Sequence, residues 1–315
     1  MGCTGAVLLL ATSALAQNLF EADEDSGNIY SFTPNGVQST VASGLSFPTG
    51  LAFNSAGDLF VACLGGTGMN AGYITEITPG GVQSTFASGL DGPEGLAFDN
   101  AGNLFVADEG SSEITEITPG GTKSTFASGL QHASGLAFNS AGNLFALVYT
   151  NSLPLKGSPF GHGAIIEITP GGAEGTVASL GTNAGGGLAF NSFGDLFVTI
   201  DSASGSITEY TPAGAQTTVA SGLDYPRSLA FNNAGNLFVA DSGDNKIIEI
   251  TQGGAESAFA SGLDYPDGLA FQSVPEPSTW AMLIMGSSMF FAGRRWQRRS
   301  PFFTSARLVP PTCLP

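Results

Sequence analysis

Charge is scarce in this sequence. Only 11% of the 315 residues are charged, less than half of the roughly 25% found in an ordinary globular chain, while hydrophobic residues make up 42%. Disordered chains are poor in apolar residues and rich in charge, so this composition excludes a disordered protein. Glycine, with 45 residues, is too frequent for a coiled coil or long-helix protein. The remaining class is an all-β chain with many tight turns.

Basic residues are few and unevenly placed. From Gln17 to Ser273 the sequence has 25 acidic residues and four basic ones, a net charge of −21, and the other five basic residues all lie beyond residue 293. Such an acidic body repels phosphate backbones, so we expect no nucleic-acid partner. The acidity either attracts cations and basic partners or simply keeps the protein soluble.

Cysteine is nearly absent. Cys3 and Cys313 lie near the ends of the chain, which leaves Cys63 alone in the body. No intrachain disulfide is therefore expected in the body. We interpret Cys63 as a small buried hydrophobic residue rather than a nucleophile.

The first 16 residues have the pattern of a secretory signal peptide. An apolar run over residues 6–11 is followed by Ala14-Leu15-Ala16 before Gln17, which is the small-x-small pattern of a cleavage site. No Lys or Arg precedes the run, and a short buried strand is the alternative interpretation.

The C-terminal region has three parts in order within residues 274–299. Pro275-Glu276-Pro277 comes first, an uncharged stretch from Ala281 to Gly293 follows, and Arg294 and Arg295 open a cluster of arginines. This order resembles the PEP-CTERM sorting signal of bacteria that make exopolysaccharide. The resemblance implies an exported protein that a membrane enzyme, an exosortase, recognises, and that reaches the cell surface or the extracellular space.

The uncharged stretch is short for a membrane span. From Trp280 it has 14 residues, or about 21 Å of helix, against a hydrocarbon core of about 30 Å. We expect a short hydrophobic helix that anchors the chain transiently. Residues 300–315, with two adjacent prolines, are expected to be a disordered tail.

A repeated phrase organises residues 17–273. Gly-Leu-Ala-Phe, with Ser228 replacing glycine once, recurs at spacings of 40–52 residues and ends at Phe53, Phe98, Phe138, Phe190, Phe231 and Phe271. Most copies are followed by a turn with Asn or Asp and Gly, a second apolar strand such as Leu104-Phe105-Val106-Ala107, and two further strands. A period near 40 residues with four short strands predicts β-propeller blades.

The two ends of this region complement each other. Residues 18–23 match a second strand with no first strand before it, and the last copy, ending at Phe271, is a first strand with nothing after it. Together they predict a blade made of one C-terminal and three N-terminal strands, which closes the ring and removes exposed sheet edges. The sequence therefore predicts an all-β, six-bladed propeller, and we expect a monomer.

Two stretches carry a family resemblance. Tyr225-Pro226-Arg227-Ser228-Leu229-Ala230-Phe231, followed by the strand that begins at Leu237, resembles an NHL repeat, and more broadly the chain is similar to the senescence-marker-protein/gluconolactonase superfamily of six-bladed propellers. The resemblance implies the fold, but such propellers serve as lactonases, lyases and pure binding platforms.

One rim of the predicted channel collects candidate binding residues. The residue before each repeated phrase points toward the axis, and these residues are Thr49, Glu94, Ser134, Gly186, Arg227 and Asp267. Two long insertions between second and third strands reach the same rim, which favours a binding face there. The longer insertion, from Val148 to Ala164, carries Tyr149, Lys156, Phe160 and His162.

The gluconolactonase resemblance implies a divalent-cation site at this rim. Relatives hold the ion with a Glu, two Asn and an Asp, and the aspartate is the presumed base. Asp267 matches that aspartate and Glu94 is a carboxylate at an equivalent position, so these two residues are the candidate metal ligands for calcium, with Asp267 as the catalytic residue if the chain is an enzyme. Ser134 and Gly186 stand where the asparagines are expected.

Three functions remain open at this point. The first is a non-catalytic binding module at the cell surface, whose partner is exopolysaccharide or an envelope protein. The second is a calcium-dependent lactonase or related hydrolase. The third is a purely structural component of the extracellular matrix.

Overall fold

The computed structural model describes residues 17–150, 162–181 and 186–272. The chain divides into two compact units, residues 1–274 and 275–315, and all described residues belong to the first. The expected signal peptide, the sorting segment with Pro275, Glu276, Pro277, Arg294 and Arg295, and the expected tail lie outside the described residues.

The described part of the chain is built from short β-strands. The strands of the first half are β1 (Leu19–Asp23), β2 (Asn28–Phe32), β3 (Gln38–Ala42), β4 (Pro48–Phe53), β5 (Leu59–Cys63), β6 (Gly72–Ile77), β7 (Gln83–Leu90), β8 (Pro93–Phe98), β9 (Leu104–Asp108), β10 (Glu113–Ile117), β11 (Lys123–Ser128) and β12 (Leu136–Phe138). The strands of the second half are β13 (Leu144–Thr150), β14 (His162–Ile168), β15 (Glu174–Gly181), β16 (Leu188–Phe190), β17 (Leu196–Ile200), β18 (Gly205–Tyr210), β19 (Gln216–Leu223), β20 (Pro226–Phe231), β21 (Leu237–Asp241), β22 (Lys246–Ile250), β23 (Glu256–Ser261) and β24 (Pro266–Phe271).

These strands form six four-stranded antiparallel sheets, which we call blades I to VI. Blades I to V contain four consecutive strands each, beginning at β4, β8, β12, β16 and β20, and blade VI has the order β24-β1-β2-β3. In blade VI, Leu19 pairs with Phe271 and Phe20 with Ala270. The six-bladed propeller with a blade shared between the two ends of the domain is thereby confirmed.

The core lies between the blades. Six buried apolar clusters fill the spaces between neighbouring blades, including the space between blades VI and I. Phenylalanines of the repeat make edge-to-face contacts there. The ring centroid of Phe60 in β5 lies 4.9 Å from that of Phe86 in the same blade and 5.0 Å from that of Phe98 in the next blade. Strands β1, β5, β9 and β21 are buried along their whole length. The apolar runs of β5, β9 and β21 predict this burial, whereas β1 buries Glu21 within its run.

Glycine in the repeated phrase lets the innermost strands approach closely. A Cβ atom added to Gly95 would lie 2.0 Å from the Ser134 carbonyl oxygen of the next blade, and one added to Gly268 would lie 2.0 Å from the Thr49 oxygen. The second contact joins blade VI to blade I and closes the ring. Because backbone meets backbone around the axis, the channel is narrow.

Helix is nearly absent from the described part of the chain. Its one helical element is a short 3-10 helix, η1 (Ser242–Asp244), and no helix there is long and apolar enough to cross a membrane. The short hydrophobic helix expected near the C-terminus falls outside the described residues.

Candidate functional site

A small cavity of about 100 Å³ lies on the propeller axis at the start of the innermost strands. Each blade contributes three consecutive residues to its wall. The first residue of each triplet is one that the sequence places at the rim, namely Thr49, Glu94, Ser134, Gly186, Arg227 and Asp267. The structure therefore brings all six together around one channel, while their roles in binding or catalysis stay predictions.

Two of the six positions serve the fold. The hydroxyl of Thr49 is buried and donates to the carbonyl oxygen of Pro93 at 3.0 Å, which ties blade I to blade II. Gly186 has a φ of +102°, and a Cβ there would lie 2.4 Å from Oγ1 of Thr199 and 2.5 Å from the Arg227 carbonyl oxygen. No side chain fits at Gly186 without a shift of its neighbours.

Glu94 belongs to a chain of polar groups that leads from the channel to the surface. Burial raises the pKa of Glu94 well above its usual range, and Glu109 and Asp267 raise it further, whereas Arg227 lowers it. A side-chain hydrogen bond with Glu109 is a further cause of the raised pKa of Glu94. Oε1 of Glu109 lies 2.8 Å from Nδ1 of His132, whose ring stands edge-on to Tyr149 at 6.4 Å.

Asp267 and Arg227 form the opposite side of the channel. Burial raises the pKa of Asp267, and Asp201 adds to the rise while the Arg227 guanidinium opposes it. Burial disfavours the charged form of Arg227, but Asp267 and Asp201 outweigh it and raise its pKa. Nη2 of Arg227 donates to the Tyr265 hydroxyl at 3.0 Å, and Nε lies 3.7 Å from a carboxylate oxygen of Asp201.

Glu21 is a buried carboxyl that the sequence reasoning did not single out. It is fully buried in β1, and neither carboxylate oxygen has a hydrogen-bond partner among the described residues. Burial raises its pKa well above the usual range, and Asp23 and Asp267 raise it further. The signal was present in the sequence, because β1 reads Leu-Phe-Glu-Ala where most second strands read Leu-Phe-Val-Ala.

The channel residues do not fit the four-ligand calcium set of the gluconolactonase relatives. The asparagine position at Gly186 admits no side chain, Ser134 offers only a hydroxyl, and Arg227 competes for Asp267. Calcium prefers six to eight oxygen ligands. Within the described residues, no three His, Cys, Asp or Glu side chains are grouped so that they could hold a metal ion.

A second, larger cavity of about 520 Å³ opens on the same rim, beside the channel. We call it the rim groove, and it crosses blades IV, V and VI. It is lined by Asp25, Asp201, Asp224, Tyr225, Arg227, Ser242, Gly243, Asn245, Asp264 and Tyr265. Its volume lies in the range of roughly 300–1,000 Å³ that is usual for small-molecule sites, whereas the channel cavity falls below that range.

Aromatic rings stand at equivalent positions of several blades, two residues before the channel residue. Phe47, His132, Tyr225 and Tyr265 occupy this position, and all four have a left-handed backbone, with φ between 47° and 62°. Gly92 occupies it in blade II, also with positive φ. This conformation costs a non-glycine residue roughly 1–2 kcal/mol, and strain of this kind is concentrated at functional sites.

The insertion residues are placed differently from the expectation. Tyr149 and His162 were expected in the loop from Val148 to Ala164, but β13 and β14 extend into it, and Thr150 pairs with His162. The ladder continues because each added residue pairs its backbone groups across the hairpin. Tyr149 reaches the rim beside His132, whereas Lys156, Phe160 and the side chain of His162 lie outside the described residues.

The aspartates that end second strands have structural partners. Asp23, Asp108 and Asp241, which end second strands, accept backbone N–H bonds from Asp264, Asp91 and Asp224 at 2.6–2.8 Å. They fix the loop that leads into the innermost strand. Cys63 is buried, and burial raises the pKa of its thiol to about 11, so the thiolate nucleophile is suppressed.

Comparison with known proteins bears on the sorting segment and the fold. The model of the PEP-CTERM protein-sorting motif matches residues 273–299, which marks the chain as an exported protein that exosortase recognises and processes at the membrane. No curated protein sequence matches the chain.

Solved structures resemble the propeller. A chain of the nidogen/laminin complex has a TM-score of 0.69 and 19% identity, covering 82% of this chain and 99% of that one. The selenomethionine-substituted virginiamycin B lyase from Staphylococcus aureus has a TM-score of 0.55 and 16% identity, covering 79% of this chain and 85% of the lyase. At such identities the likeness shows the fold alone.

Proposed function

We propose that this exported propeller is a non-catalytic binding module at the cell surface, and that it binds an envelope component, exopolysaccharide or protein, with the rim that carries the groove. The observation that carries the proposal is the contrast between two cavities. The channel, where propeller enzymes of this superfamily place their metal, offers about 100 Å³, while the open rim groove offers about 520 Å³.

The exposed rings on this rim support the same function. Phe47 is 49% and Tyr225 44% exposed, and both keep a strained backbone that glycine adopts freely in blade II. Aromatic side chains are enriched at the energetic centres of protein interfaces. A rim that keeps them in spite of the strain is suited to contacting a partner.

Retention of the chain in the extracellular matrix of the producing bacterium tests the proposal. The double variant Phe47→Ala/Tyr225→Ala is expected to move from the matrix fraction into the medium. The control is Phe193→Ala, an aromatic that is 81% exposed in the turn between β16 and β17, at the opposite end of its blade. Unchanged retention of the double variant would contradict a binding role for the rim.

A calcium-dependent lactonase is the competing function. The observation in its favour is that Glu94 and Asp267 both line the channel cavity with raised pKa values, as a buried acid and base would. Calorimetric titration with calcium, followed by lactone hydrolysis assays of the chain and of Asp267→Asn, decides between the two. The binding-module proposal predicts that the chain binds no calcium at millimolar concentration and shows no lactone hydrolysis that depends on Asp267.

A further inference from the structure

Within the rim groove, the chain already binds one guanidinium group. Arg227 lies with its guanidinium carbon 5.5 Å from the centroid of the Tyr265 ring, donates to the Tyr265 hydroxyl and faces Asp201. This is the combination of an aromatic face and a carboxylate that stabilises cations at protein surfaces. The contacts of Arg227 therefore show that the groove can hold a cationic group.

The charges of the groove are only partly balanced. Four aspartates line it and Arg227 is the one basic residue among its lining residues. Asp201 faces Arg227, but the carboxylates of Asp25, Asp224 and Asp264 have no ion pair or side-chain hydrogen bond with any described residue. A cationic ligand would neutralise this excess, and the field of a strongly acidic body would steer it there.

Tyr225 gives an independent indication of a ligand. Its ring is 44% exposed at the groove, and its backbone has a φ of 51°. Gly92 shows that the same turn forms without a side chain. The fold thus does not need the tyrosine, and an exposed ring beside unbalanced carboxylates is suited to a cation–π contact.

From these observations we propose that the rim groove binds lysine or arginine side chains of a basic polypeptide, a proposal that rests on the proposed binding function and specifies its partner. The incoming cation lies against the face of Tyr225 and between the carboxylates of Asp224 and Asp264. Anionic polysaccharide is disfavoured, because the groove and the body around it carry the same sign of charge.

Fluorescence anisotropy of labelled tetralysine amide with the purified full chain, at 0.15 M salt, tests this inference. Tyr225→Gly is expected to weaken binding about fivefold, since a cation–π contact is lost, and to leave the chain at least as stable, since strain is relieved. Ser112→Gly, at a φ of 58° in blade II outside the groove, relieves the same strain and is expected to leave the affinity unchanged.

A second pair of variants separates the groove from the general acidity of the chain. Asp224→Asn/Asp264→Asn is expected to weaken tetralysine binding about tenfold. Glu174→Gln/Glu256→Gln removes the same charge from exposed positions on β15 and β23 and is expected to have little effect. Equal losses in both pairs would show non-specific attraction and overturn the proposal.

Two further outcomes are informative. If neutral dextran binds, tetralysine does not, and Tyr225→Gly abolishes the dextran binding, the ligand is a glycan and the inference is wrong. If tetralysine binds in the groove but Phe47→Ala/Tyr225→Ala leaves retention in the matrix unchanged, the groove inference survives and the proposed function fails.

Discussion

Glu21 occupies a position where four other blades carry Val61, Val106, Val198 and Val239. Its carboxyl group is buried without a hydrogen-bond partner among the described residues, and burial with the charges of Asp23 and Asp267 raises its pKa. A buried polar group without a partner costs about 1–3 kcal/mol. The residue is therefore a local weakness of β1.

Replacing this carboxyl by the residue of the other blades is expected to stabilise the protein. Glu21→Val should raise the free energy of unfolding by about 1–3 kcal/mol, because the desolvation cost disappears. Denaturant titration at pH 8 measures it, with Glu174→Gln on the exposed strand β15 as the control. A lower free energy of unfolding in Glu21→Val would show that the carboxyl group has a stabilising partner.

Glu24 makes stability depend on pH in a defined direction. Burial, Asp267 and Asp25 raise its pKa from 4.5 to about 7, although Arg227 opposes them. The folded state therefore holds this proton at pH values where the unfolded state has lost it. By linkage, the free energy of unfolding falls as the pH rises from about 4.5 to about 7, and the raised pKa values of Glu94 and Asp267 act in the same direction.

The expected result is a higher melting temperature at pH 5 than at pH 8. Glu24→Gln should reduce this difference, because one proton-binding site of the folded state is removed. Thermal unfolding followed by circular dichroism at the two pH values measures it. If Glu24→Gln and the parent chain lose the same amount of stability between pH 5 and pH 8, the burial of Glu24 has been misjudged.

At the scale of the strand, glycine in the repeated phrase sets the width of the channel. The innermost strands touch through their backbones at Gly95 and Gly268, which leaves a cavity below the usual size of a small-molecule site. Ser228, which replaces this glycine in blade V, uses its hydroxyl to accept a bond from the Leu269 amide of blade VI at 3.1 Å. The repeated glycine therefore determines how narrow the channel is.

Gly95→Ala is expected to destabilise the ring by about 1–3 kcal/mol, the usual cost of overpacking. The added Cβ would lie 2.0 Å from the Ser134 oxygen, so blades II and III must move apart. Gly175→Ala in β15 is the matched control, because no atom lies within 4 Å of its Cβ, and it should be neutral or slightly stabilising. Equal stability of the two variants would contradict the tight contact.

The sequence predicts the strands well because their signals are local and repeated. The phrase Gly-Leu-Ala-Phe places each innermost strand, and the residue before it lines the channel in every blade, as with Glu94 and Asp267. The partners of these residues lie elsewhere in the sequence. The effect of Glu109 on the pKa of Glu94 and the contact of Arg227 with Tyr265 depend on loop geometry, which the repeat does not encode.

The rim groove was not predicted from the sequence for a related reason. Its tyrosines, Tyr225 and Tyr265, lie two residues before the channel position, and both have a left-handed backbone that glycine usually marks. The groove also joins three blades, so no single repeat shows it.

At the scale of the whole molecule, the proposed binding face exists only if the ring is closed. Asp25 enters the groove from the loop after β1, while Asp264 and Tyr265 enter from the loop before β24. These segments meet because β1 pairs with β24, and the side-chain amide of Gln17 donates to the Gln272 carbonyl oxygen at 3.0 Å. Separation of the two strands would open the channel and divide the groove.

Amide hydrogen exchange of the full chain, read by mass spectrometry on peptides that cover β1 and β24, tests this closure most directly. The account predicts that both strands exchange slowly and to the same extent as the innermost strands of blades I and II, because they are paired in one sheet. Rapid exchange of β24 while β1 stays protected would show an open ring and would contradict the shared binding face.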